Sequence, residues 1–103
     1  MYHIAFYVPE SHAESVKESM FLAGAGKIGA YQRCAFETAG TGQFEPLKGS
    51  RPYLGQIEVL ETVKELKVEM VCSEESLVKS IEALKKSHPY ETPAYYVIEM
   101  VGI

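Results

Sequence analysis

A chain of 103 residues holds one domain with a single core and is too short for two. Hydrophobic residues at 47% and charged residues at 23% give the composition of an ordinary soluble globular fold. Ten basic against fourteen acidic residues, with no basic stripe, argue against nucleic acid or an anionic membrane as partner. The apolar opening from Met1 to Pro9 has no basic flank and is far too short to cross a bilayer. Cys34 and Cys72 have no metal-ligand spacing and cannot build a disulfide framework, so they read as small core residues of a cytoplasmic protein.

In chain order, Tyr2, Ile4, Phe6 and Val8 alternate with His3, Ala5 and Tyr7, which is the period of a strand that Pro9 ends. Ser11 and Glu14 form an S-x-x-E box, and Ala13, Val16 and Met20 follow at helical spacing. A helix is therefore predicted over 11–22, with Gly24 as its positive-φ stop. A second strand is predicted over 31–38. Beyond it Gly40, Gly42, Pro46, Gly49, Pro52 and Gly55 punctuate a long irregular hairpin. Residues 56–72 read as a strand, with Leu66, Val68 and Met70 facing inward and Glu65, Lys67 and Glu69 outward. Ser73 heads a second helix whose Leu77, Ile81 and Leu84 share a face. Lys85 and Lys86 suit its carbonyl end, Pro89 stops it, and a last strand spans 94–101.

The order β-α-β-β-α-β predicts an α+β fold: a ferredoxin-like sandwich with both helices on one sheet face and an extra hairpin between the central strands. Its helix-free face is expected to carry Ala5, Tyr7, Val71, Tyr95, Val97 and Val101. So much contiguous apolar surface predicts a homo-oligomer, or a subunit docked on another protein.

The glycine-dense segment from Gly24 to Gly55 is too long for a neutral connector and is the first place to look for function. Gly24-Ala-Gly26-Lys-Ile-Gly29 spells G-x-G-x-x-G, but with a helix before it and a strand after it, the reverse of a dinucleotide fingerprint. It reads as a helix stop and a turn. Gly40, Gly42 and the Gly49–Gly55 run are candidates for a loop whose amides, with Arg51, grip an anion; the alternative is a rigid tip that sets subunit contacts. Three readings are open to His88 in His88-Pro89-Tyr90-Glu91: a cap on the last helical carbonyls, a ligand or metal contact with Glu91 as second ligand, or general acid-base work. Cys34 beside Arg33 is a conceivable activated thiol, but no Ser-His-Asp or Cys-His set assembles from the spacing.

Taken jointly, Tyr31-x-x-Cys34-x-Phe36, Gly40-x-Gly42-x-Phe44-x-Pro46, Gly49-x-x-Pro52-x-x-Gly55 and His88-Pro-Tyr-Glu91-x-Pro93-Ala-Tyr95 resemble the inserted domain of the Nif-three (Ngg-one-interacting factor, YqfO-type) family, over nearly the whole chain and here free-standing. The resemblance implies a fold like that of the trimeric CutA and PII signalling proteins, hence a trimer. Full-length members carry a two-metal site and a GTP cyclohydrolase-like label, but that site belongs to flanking halves with no counterpart here. Thr92 and Tyr96 stand where the family usually has carboxylates, which weakens a metal site near His88, and Ala35 replaces a frequent serine.

The function expected first is a non-enzymatic oligomeric binding or regulatory module. Its ligand or protein partner is expected at loops between subunits, with Arg51, Gly40, Gly42, His88, Tyr90 and Glu91 as contacts. Two alternatives stand beside it: a divalent-metal binder through His88 and Glu91, and a GTP cyclohydrolase-like hydrolase.

Overall fold

The computed structural model describes residues 1–102, and they form one four-stranded sheet with two helices. Strand β1 spans Tyr2–Pro9, β2 Phe36–Phe44, β3 Glu61–Cys72 and β4 Tyr95–Glu99; helix α1 spans Ala13–Leu22 and α2 Glu74–Ser87. The sheet order is β2-β3-β1-β4 and every neighbouring pair is antiparallel. This is the α+β, ferredoxin-like arrangement that the element order predicts.

Alternation decides which side chains meet the helices. Ile4 lies opposite Met70 and Val97, and Phe6 opposite Val68 and Tyr95. These residues join Val8, Val16, Met20 and Leu84 in a core whose centre is sealed from solvent. Tyr95 and Val97 therefore pack on the helix side, not on the helix-free face where the sequence had placed them. The pairing decides this: Tyr95 lies opposite Phe6 and Val97 opposite Ile4, both on the helix side. The sequence of β4 is apolar at almost every position and does not show which face is buried. The helix-free face carries Tyr96 and Ile98 instead, beside His3, Ala5, Tyr7, Lys67, Glu69 and Val71. Val101 lies past the strand and is exposed. The face is thus part apolar and part charged: His3 Nε2 meets Glu69 Oε1 at 3.2 Å, and Lys67 sits over the Tyr96 ring. Ala5 on this face is wholly covered, with Glu69 and Tyr96 beside it.

Three local expectations need correction. The S-x-x-E box does not form. A 3₁₀ turn, Glu10–His12, follows Pro9 and moves the helix start on, so His12 takes the N-cap position while Ser11 bonds the His12 ring and Glu14 pairs with Lys17. The strand placed at 31–38 is β2, displaced to Phe36–Phe44, and Tyr31 only bridges to Ile28 in an exposed turn. Gly40 and Gly42 are consequently strand residues, opposite Glu65 and Val63. The expected extra hairpin is an irregular connection over 45–60 with no strand of its own. By contrast Gly24 does stop α1 at φ 113°, where a Cβ would also strike Ser76. Ser73 does head α2, although its hydroxyl makes no capping bond.

Candidate functional site

Strands β2 and β3 run past the end of β1, since Thr41–Phe44 pair with Glu61–Lys64 beyond the last β1 partner, Glu65. The 45–60 connection folds back from this overhang. Its Arg51 N–H donates to Glu91 Oε1 at 2.8 Å, and the Tyr53 ring meets the His12 ring edge-on at 5.3 Å. Connection, overhang and the turn before β4 enclose a cleft of about 260 Å³ at one end of the helix-free face. Tyr7, Phe44, Tyr53, Glu65, Tyr90 and Glu91 are among its lining residues.

Tyr90 is the hub. Its ring lies 5.6 Å from Phe44, 6.4 Å from Tyr53 and 5.1 Å from His88, centroid to centroid. Its hydroxyl donates to Glu65 Oε2 at 3.0 Å. Burial, then the bond to Glu65, pushes the phenol well above its ordinary value, so it stays protonated and remains a donor. Glu65 reaches this position because Gly42, its neighbour on the same face, has no side chain: a Cβ there would collide with the Glu65 carboxylate. Gly42 is needed for space and not for a turn. Gly40 has open space around its Cβ position and no such role.

His88 is 6% exposed and both ring nitrogens are engaged. Nε2 lies 2.7 Å from the Tyr7 carbonyl, and Nδ1 accepts the Tyr90 N–H at 3.1 Å. A carbonyl only accepts and an amide N–H only donates, so the ring is neutral with its proton on Nε2. Burial holds its pKa below the ordinary histidine value, and the Tyr7 bond opposes that only in part. The histidine thus clamps the helix end to β1 and orients Tyr90. Neither nitrogen is left for a metal, and the Glu91 oxygen Oε1 is held by the Arg51 amide. Among the described residues no group of three or more His, Cys, Asp or Glu gathers as a metal set.

Of the residues expected to carry function, His88, Tyr90, Glu91 and Arg51 do converge on one locality, with Arg51 contributing its amide. Gly42 acts by its missing side chain, and the anion that the loop amide grips is the chain's own Glu91. Sequence reasoning missed Phe44, Tyr53 and Glu65. Their signal was present in Gly42-x-Phe44 and Arg51-Pro-Tyr53, but no local pattern brings a strand residue to a turn 25 residues on. Cys34 lies elsewhere, with His3, Phe36 and Glu69 at a second hollow near the start of β2, and its neighbour Arg33 is bound to Glu18.

No family model matches the chain. It is 44% identical over 95 residues to the GTP cyclohydrolase 1 type 2 homolog of Halalkalibacterium halodurans, a match covering 92% of this chain and 26% of that protein. A crystal structure of a Bacillus cereus protein related to NIF3 superposes with a TM-score of 0.78 at 38% identity, over 93% of this chain and 24% of the other. CutA1 from Pyrococcus horikoshii is 19% identical with a TM-score of 0.70, covering 100% of this chain and 86% of its own, and shows the fold alone. The chain therefore spans about a quarter of the length of the curated relatives it matches. Over nearly its whole length the chain thus corresponds to one domain-sized segment of NIF3-related proteins, and it shares its fold with CutA1.

Proposed function

We propose that the chain is a non-enzymatic binding module whose ligand occupies the cleft between the 45–60 connection and the 88–94 turn. The observation that carries this is the cleft itself: a concave, largely apolar hollow with a few fixed polar groups is the usual form of a small-ligand site. The Tyr90–Glu65 and Arg51–Glu91 bonds hold its walls before any ligand arrives. The relatives are named GTP cyclohydrolase 1 type 2 homologs, and this chain matches about a quarter of their length, so the name assigns no role to any residue here.

Copies of the chain associate in this reading, as a trimer, through the part of the helix-free face away from the cleft, which lies at its end. Tyr96 at 37% and Ile98 at 54% exposure leave apolar surface there that association would cover. Sedimentation should then give a mass about three times 11.5 kDa, and a monomer at micromolar concentration would reject the assembly.

The binding claim is tested by thermal unfolding against a library of small metabolites. A true ligand raises Tm in proportion to RT ln(1 + [L]/Kd). Stabilising compounds should lose most of their effect on a Phe44→Leu variant, whereas equal stabilisation of both proteins would place the site elsewhere.

A further inference from the structure

We infer that the cleft takes an organic cation, a quaternary ammonium or an alkylguanidinium, held between aromatic rings and the Glu65 carboxylate; this rests on the cleft being the ligand site. Three observations point the same way. Phe44 meets the Tyr90 ring edge-on at 60° and Tyr53 is tilted to it by 48°, so the three rings do not stack face to face, and all three line the cleft. With Tyr7 they make four aromatic side chains in the lining, and the negative π faces of such rings attract cations, alkylated ammonium above all.

The second observation is charge. Glu65 and Glu91 line the cleft and, among the described residues, no lysine, arginine or histidine does. An anion would meet only like charge. A neutral apolar ligand would strip water from the Glu65 carboxylate and give it no counter-charge. A cation satisfies both the rings and the carboxylate.

The third is that the carboxylate is placed on purpose. Gly42 clears the volume that Glu65 occupies, and the Tyr90 hydroxyl fixes one oxygen at 3.0 Å. Glu91 likewise has one oxygen held by a neutral donor, the Arg51 amide, so neither bond cancels a carboxylate's charge, and Glu65 is the one hydrogen-bonded to the Tyr90 ring's hydroxyl. The volume of about 260 Å³ suits a ligand of a few heavy atoms.

The test compares four probes on the full chain by amide-resolved NMR titration: choline, its neutral carbon isostere 3,3-dimethylbutanol, agmatine and inorganic phosphate. Choline or agmatine should bind about tenfold more tightly than the isostere. Glu65→Gln should remove much of that preference. Phe44→Leu should weaken choline more than it weakens the isostere, and it keeps the question answerable if the Glu65 variant does not fold. Equal affinity for choline and its isostere, or tighter binding of phosphate, with cleft amides shifting in either case, overturns the cation assignment and leaves the cleft as the ligand site. If no probe shifts the amides of Phe44, Tyr53 or Tyr90, the cation assignment fails as well, and the metabolite library then judges the cleft independently.

Discussion

The two faces of the sheet divide the work of this molecule. On the helix side Ile4, Phe6, Val8 and Val68 are sealed against Val16, Met20 and Leu84, with apolar contacts throughout. On the other side the same strands present His3, Glu65, Lys67 and Glu69 among Tyr7, Val71, Tyr96 and Ile98, and at one end the rings of Phe44, Tyr53 and Tyr90 surround a hollow. Close packing on one face supplies the stability that lets the other keep a carboxylate among aromatic rings and a cleft unfilled. A substitution on the first face should therefore be read in stability, and one on the second in binding.

The largest effect expected is Phe6→Ala, which opens a cavity in the centre of the core and should cost about 3–5 kcal/mol in denaturant unfolding. A loss under 1 kcal/mol would mean that the two faces do not differ as described. Gly42→Ala comes next. Its methyl group must displace the Glu65 carboxylate, so we expect about 1–3 kcal/mol of destabilisation together with loss of ligand response at Tyr90. Tyr90→Phe removes only the hydroxyl and its bond to Glu65, and should cost about 1 kcal/mol while retaining the ring contacts. If it proves neutral in both stability and binding, Glu65 is not held by that bond.

The smallest effect is in pH. His88 is buried and neutral, with a folded pKa below the unfolded value of about 6.5. The unfolded chain therefore binds the proton first as pH falls. The contribution of His88 is complete above about 6.5 and declines as pH drops from there toward the folded pKa, with a slope of at most about 1.4 kcal/mol per pH unit. Unfolding curves of the wild type and His88→Gln between pH 7.5 and about 5 should converge as the medium acidifies. Parallel curves would show that folding leaves the proton affinity of His88 unchanged.

Much of the fold was legible because alternation and helical spacing report burial directly. Ile4, Phe6 and Val8, the Val16 and Met20 face, and Leu77, Ile81 and Leu84 are where their patterns put them. What failed was local punctuation. Gly40 and Gly42 look like loop residues because glycine usually marks a turn, yet Gly42 sits in a strand to make room for Glu65. Tyr95 and Val97 went to the wrong face because Tyr-Tyr-Val-Ile is apolar on both sides, and only the pairing with Phe6 and Ile4 fixes its orientation. The site was only half visible. His88, Tyr90 and Glu91 stand together in sequence, but Phe44 and Glu65 reach them through strand pairing and Tyr53 through the folded-back connection over 45–60, long-range events that no window of sequence encodes.

The most direct test is to map a bound ligand, found in the metabolite library, onto the backbone amides of the uniformly labelled protein. The account predicts perturbations centred on residues 44–54 and 88–94, with Tyr90 among the largest and α1 and α2 nearly silent. Perturbations centred on the helices, or on the hollow around Cys34 and Phe36, would contradict it.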